Sequence, residues 1–223
     1  GTVCHKVVAR SNSFLNSVGK KFKTEKVDVV KVESTLSMKA ACAVDAILRE
    51  TLEKLGSNIA SLLASSHSKT VNVRTVEMAI DMTFHETELA KFMKAHGATA
   101  RVNYGKFVQT STKKSSRAER AGLQVSPARV VRLLRQARVA QRFGVDADIQ
   151  LAGALDYLVQ DLLHNSLQMI KDSKHGSGRL TPRVLMLTVQ GDEELSKFFR
   201  GSIGGAGVPV TVQGPQKKAK TQK

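Results

Sequence analysis

An all-α fold made of two helical units in one chain is predicted, on three observations. Residues 149–171 carry an apolar stripe at helical spacing, Leu151, Leu155, Leu158 and Leu162, with a second stripe beside it, Ala152, Val159, Leu163 and Ile170. Residues 37–65 repeat the pattern with Val44, Leu48, Leu52, Leu55, Ile59 and Leu62. Each long segment has shorter helical stretches around it, so the order short, long, short occurs twice, an internal repeat of architecture with little identity. Two stripes mean two buried faces. A helix of about 23 residues spans roughly 35 Å, more than two short neighbours cover, so each long helix needs another long helix. Two antiparallel long helices, crossed, would bury both sets of stripes.

In chain order, residues 1–18 read as an N-terminal arm that mixes Lys6, Arg10, Ser and Asn with a few apolar positions. The first unit covers residues 19–106. Phe22, Val27 and Val30 suit a short helix over 20–31, and a loop follows at 33–35. Ser37 is the N-cap candidate for the first long helix. Gly56 lies inside that helix, where glycine costs about 1 kcal/mol against alanine; it is either simply tolerated or marks a crossing of two backbones. Thr70 and Val71 read as extended, and Asn72 as the cap of a helix over 73–82. Residues 107–120, rich in Ser, Thr, Lys and Arg, read as a connector. At about 3.3 Å per residue such a tether reaches more than roughly 40 Å. The second unit covers residues 121–200, and residues 201–223 form a Gly-rich extension with a tail of Lys217, Lys218, Lys220 and Lys223.

The chain has 223 residues, 41% of them hydrophobic, and a formal charge of +16, so its partner is expected to be a polyanion. Nucleic acid is the first choice and anionic membrane the rival. There is no run of 18 apolar residues and no signal-peptide pattern, which predicts a soluble chain, intracellular or packaged in a virion. Aromatics are 4% with no Trp, which disfavours stacking on unpaired bases and favours duplex DNA. Cys4 and Cys42 stand alone, so neither a zinc site nor a disulfide framework is expected, and Cys42 reads as core. No H-E-x-x-H, G-x-S-x-G or Walker loop is present, so neither an enzyme nor a cofactor is expected.

The charge is uneven: residues 111–223 hold 19 basic and 9 acidic side chains, against 16 and 10 in residues 1–110. Arg129, Arg132, Arg135, Arg138 and Arg142 recur every three or four residues without an intervening acid. Such a row is either a solvated helix face or, because its self-repulsion is unrelieved, a phosphate-binding one. Asp192, Glu193 and Glu194 make the only run of three acids, and Asp156 and Asp161 lie about one turn apart on the second long helix. These acids are either a solvated cap or an acidic surface.

Several runs carry a family resemblance. Residues 121–124 (AGLQ), 129–135 (RVVRLLR), 151–158 (LAGALDYL), 179–183 (RLTPR) and 192–197 (DEELSK) resemble histone 2A in order and nearly in spacing, with a longer loop at 175–179. Residues 69–71 (KTV) with Arg74, 88–91 (ELAK) and 97–104 (GATARVNY) resemble histone 2B with its extra C-terminal helix. The resemblance implies two histone folds in an intramolecular handshake. It further implies wrapping of duplex DNA in a nucleosome-like particle with a histone 4 and histone 3 partner, without reading sequence and without a membrane role. It places Arg129, Arg142 and Arg179 against DNA, with Arg142 and Arg179 in the minor groove, and Lys39, Lys69 and Thr70 at the matching positions of the first half; Arg132 and Arg135 join them from the basic row. Ser68 replaces the arginine that histone 2B usually has at that loop. Glu88, Asp156, Asp161, Asp192, Glu193 and Glu194 match the acidic patch that receives Arg-bearing peptides, with His96 and His164 where the family has carboxylates. Residues 201–214 match a docking extension, the alternative being a linker. Fused pairs of this kind resemble those of large DNA viruses of amoebae, of the Marseillevirus type, which implies a location in the virion and in the viral factory or host nucleus. The competing functional class is a sequence-specific regulator built on a histone-fold pair, and a third is a helical scaffold whose basic face is merely solvated.

Overall fold

The computed structural model describes residues 35–85, 87–110, 115–172 and 179–199. The expected N-terminal arm, the helix at 20–31, Cys4, most of the longer loop before Arg179 and the whole 201–223 extension lie outside them. The described fold is all-α apart from four two-residue strands. A first strand, β1 (Thr35–Leu36), leads into the long helix α1 (Met38–Ser65), capped by Ser37, whose hydroxyl accepts from the Ala40 amide at 3.2 Å. Strand β2 (Thr70–Val71) and helix α2 (Val73–Phe84) follow, with Asn72 at the N-cap position but making no side-chain cap bond. Helix α3 (Glu88–Thr110) closes the first half.

The described residues of the connector expected over 107–120 are mostly helical. Helix α3 runs to Thr110, and α4 (Arg117–Ala121) starts from a capping box in which the Ser116 hydroxyl accepts from the Glu119 amide while the Glu119 carboxylate accepts from the Ser116 amide. Two orphan donors are satisfied at once, which lets a polar stretch hold a helical turn. The second half then repeats the first: α5 (Pro127–Gln136), β3 (Arg142–Phe143), the long helix α6 (Val145–Asp172), β4 (Arg179–Leu180), α7 (Pro182–Gly191) and α8 (Glu193–Phe198). The second long helix begins at Val145, four residues before the predicted start at 149, because its first turn carries no apolar stripe and has Asp146 and Asp148 at the positive end of the helix dipole.

The halves are joined crosswise. β1 pairs in parallel with β4, Thr35 opposite Arg179, and β2 pairs in parallel with β3, Thr70 opposite Arg142. The segment before α1 therefore meets the one after α6, and the reverse holds at the other end, so the two long helices run antiparallel. Further backbone bonds extend each pairing, Ser37 N–H to Leu180 O and Gly144 N–H to Val71 O, both at 3.1 Å.

One continuous core runs through both halves. All eight striped residues of α6 are buried, as are those of α1 except Leu62, which is half-buried while Leu63 takes the inner position. Cys42 is half-buried rather than core. The chief cover of α6 is α3 rather than the other long helix. The reason is a pair of glycines, since a Cβ on Gly153 would stand 2.7 Å from Gly97 Cα, so the two backbones touch. Gly56 does not mark a backbone crossing; its face meets the Leu134 and Val139 side chains, 3.1 and 3.2 Å from where a Cβ would lie. At the far end Phe198 stacks on Phe84, ring centroids 4.5 Å apart, and Lys54 donates to the Phe198 carbonyl at 2.9 Å, tying the last helix of the second half to α1 and α2.

Candidate nucleic-acid interface and acidic surface

The two strand pairs gather basic side chains from both halves. At one end exposed Arg142 pairs through its backbone with Thr70, beside exposed Lys69. At the other, exposed Arg179 pairs with Thr35, and Lys39 is exposed on the first turn of α1 close by in sequence. These ends are separated by the 28 residues of α1, roughly 42 Å at the helical rise. Phosphate contacts position a protein on duplex DNA without reading its sequence, and exposed cationic side chains are the groups that make them.

The five-arginine row does not lie on one helix. Arg129, Arg132 and Arg135 belong to α5, with Arg129 half-buried and the other two exposed. The helix stops at Gln136: Arg138 takes a left-handed conformation at φ 55°, and the Val139 N–H closes on Leu134 O at 3.0 Å. Arg142 is carried by β3 instead. After the break the backbone at Arg142 pairs with the first half rather than extending α5.

Two neighbours of this row were not singled out from the sequence. Arg117 on α4 bonds the buried Asp148 at the start of α6, Nη1 to Oδ2 at 2.8 Å. The Arg135 guanidinium lies 6.0 Å from the Phe143 ring centroid. The Ser116-x-x-Glu119 box is the sequence signal that would have placed Arg117 on a helix.

On the acidic side, Asp156 is not a surface residue. It is 1% exposed, and its Oδ1 accepts from the amides of Gln124 and Val125 at 3.1 and 3.0 Å, while Oδ2 accepts from Gln160 Nε2 at 2.9 Å. It fixes the α4–α5 turn onto α6, and burial pushes its pKa up against those hydrogen bonds and the nearby His96. Asp161, also on α6, is half-buried and accepts from Asn165 Nδ2 at 3.4 Å. Burial raises its pKa first, and Asp192 and Glu194 add to this, with His164 opposing, so these four side chains share one neighbourhood. Glu194 also reaches across to the first half, accepting from the amides of Glu88 and Leu89 at 3.3 and 3.0 Å, as an anion at the N-terminus of α3 should. Asp192 caps α8 through its Oδ1, which accepts from Glu194 and Leu195. Glu193 and Glu88 are exposed, and Glu88 pairs with Lys91 at 2.6 Å. His96 donates from Nδ1 to Gly153 O at 3.0 Å, and Phe92, 54% exposed, stacks on Tyr157 with centroids 5.9 Å apart. Of the six predicted acids, Asp161, Asp192, Glu194 and Glu88 thus come together from α6, the start of α8 and the start of α3, without Asp156, and two of them also serve as helix caps.

Among the described residues no group of three or more His, Cys, Asp or Glu is placed to hold a metal ion, and no described helix is long and apolar enough to cross a membrane. No protein-family model matches the chain.

Proposed function

We propose that this chain is a histone doublet, a histone 2B-like fold followed by a histone 2A-like fold in an intramolecular handshake, and that it packages duplex DNA without reading sequence. One observation carries this reading: the crosswise pairing of the halves, which sets Arg142 beside Thr70 and Arg179 beside Thr35 at the two ends of an antiparallel helix pair. Groove-facing arginines separated along a rigid core are the means by which a protein holds bent DNA through shape and phosphate alone. Two exposed methionines one turn apart on α2, Met78 and Met82, support docking of a separate histone 4 and histone 3 partner on that face. The acidic surface is proposed to receive an Arg-bearing peptide, and the site of action to be the virion and the viral factory or host nucleus.

Nuclease digestion of DNA reconstituted with the chain tests the reading. A discrete protected fragment of about 100 to 150 base pairs, formed only when a histone 4 and histone 3 partner is added, is the expected result; a smear with and without the partner overturns it. The arginines are tested separately by salt titration. The double variant Arg142→Ala, Arg179→Ala is expected to bind duplex DNA more weakly and to reduce the steepness of log affinity against log salt by about 2, since each lost phosphate neutralisation removes roughly 0.9. An unchanged slope would remove these two residues from the interface.

A further inference from the structure

A cleft of about 500 Å³ opens between α4, α5, β3 and the start of α6, beside the β2–β3 end and including Arg132 and Arg135 of the basic row, and it shares no lining residue with the acidic surface. Its lining includes Arg117, Arg132 and Arg135 on the charged side and Val131 and Phe143 on the apolar side, with Asp148 as its most buried member. Asp148 has a side chain 6% exposed, and one of its oxygens holds Arg117. Its other oxygen has no hydrogen-bond partner among the described residues, and the ion pair keeps the Arg117 guanidinium at the cleft. Arg132 and Arg135 make no ion pair among the described residues, and Arg135 is steadied over the Phe143 ring. Three guanidiniums against one carboxylate leave two positive charges for a ligand to neutralise. The volume falls within the roughly 300 to 1,000 Å³ of small-molecule sites, far more than one phosphate fills.

We propose that this cleft binds a nucleoside triphosphate, with the phosphates on Arg132, Arg135 and the outer edge of Arg117, and the base against Phe143 and Val131. The charge calls for a multivalent anion, and the apolar wall calls for a planar ring carried on it. Duplex DNA meets only the first requirement, because its bases are paired and stacked inside the helix and the backbone alone reaches such a cleft. Arginine suits the phosphates by its planar fork of donors, and the Arg135–Phe143 pair offers the base a stacking partner.

The test is calorimetry of the DNA-free full chain with ATP, adenosine and inorganic tripolyphosphate. ATP is expected to bind in the micromolar range and tripolyphosphate about tenfold more weakly, the difference being one base-stacking contact; adenosine alone should give no measurable heat. Arg132→Ala should weaken ATP and tripolyphosphate together by about tenfold or more. Phe143→Leu should bring ATP down to the tripolyphosphate level and leave tripolyphosphate unchanged. Arg179→Ala, at the opposite end of α1, should change neither. Tripolyphosphate binding as tightly as ATP, Arg179→Ala costing as much as Arg132→Ala, or no ATP binding at all would each overturn the proposal, the first two by showing diffuse attraction to a chain of charge +16. Should Phe143→Leu fail to fold, the comparison of Arg132 with Arg179 decides. No DNA is present in the assay, so its result is independent of whether the chain packages DNA.

Discussion

Alanine in place of Gly153 is expected to destabilise the chain by about 2 kcal/mol or more, although in an exposed helix the same change would be favourable. The two effects can be separated. Removing glycine from a helix interior gains about 1 kcal/mol, while forcing a methyl into a closed contact costs typically 1 to 3 kcal/mol, and more where nothing can move. Here nothing can move cheaply. The new Cβ would lie 2.7 Å from Gly97 Cα and 3.3 Å from Gly97 N, and both are backbone atoms of a helix that is itself packed along its length. Side chains at Gly97 face the same obstacle, since a Cβ there would stand 2.7 Å from Gln150 O. The helices must separate, and α3 is the main cover of α6, so the loss spreads along the interface. Gly105→Ala is the control, because no described atom lies within 4 Å of its Cβ position; it is expected to raise stability by up to about 1 kcal/mol. Urea unfolding of the three proteins measures the contrast. Equal stability of Gly153→Ala and the parent chain would mean that α3 does not sit against α6 as described.

What could be seen in the sequence follows from how local each signal is. The stripes of α1 and α6 are set by residues three and four apart, so their periodicity reports two long buried helices without knowledge of the rest. Ser37 and Thr70–Val71 are equally local, and the structure places them at a cap and a strand. The Gly97–Gly153 contact joins residues 56 apart, and a glycine inside a helical pattern gives no sign of which backbone it approaches; Gly56, the glycine that attracted notice, meets only side chains. The connector was obscured in another way. Its composition is that of a loop, and the capping box at Ser116 and Glu119, which starts the helical turn at Arg117, occupies just two positions. Among the candidate functional residues, Arg142 and Arg179 were singled out for the minor groove by the family resemblance alone, and the structure places them on the short strands β3 and β4. The arginine row was over-read: a three-to-four spacing continues through Arg138 and Arg142 in the sequence, but the chain leaves the helix through a left-handed residue that spacing cannot reveal. Asp156 failed for a third reason. An acid on a helix looks exposed until the segment that folds over it is known, and that segment lies 31 and 32 residues away.

Asp156→Ala is expected to cost about 2 to 4 kcal/mol, whereas Asp156→Asn should stay within about 1 kcal/mol of the parent at neutral pH, because an orphaned buried donor costs roughly 1 to 3 kcal/mol. The difference isolates what the side chain does. Both backbone donors, Gln124 N–H and Val125 N–H, converge on Oδ1, and asparagine keeps an oxygen there. Oδ2 becomes an amide that meets Gln160, which is exposed and free to turn its own oxygen inward. Alanine leaves two amides of the α4–α5 turn without acceptors, and that turn seats α5, which carries Arg129, Arg132 and Arg135. Charge adds a pH signature. Burial holds the folded pKa of Asp156 above the usual carboxylate range, so the folded state binds its proton more tightly than the unfolded state does. The stabilising contribution of that proton is fully present below the unfolded pKa and is lost as pH rises through the folded pKa. Across that mildly acidic window Asp156 therefore makes stability fall with rising pH, opposite to a carboxylate held by a salt bridge. Thermal melts from pH 3.5 to neutrality should show this component in the parent and its absence in Asp156→Asn, with Asp148 and Asp161, whose pKa values are raised as well, still contributing in both. If Asp156→Asn melted as low as Asp156→Ala at neutral pH, the carboxylate charge rather than the acceptor geometry would be what holds the turn, and the account of Asp156 as a buried cap would fall.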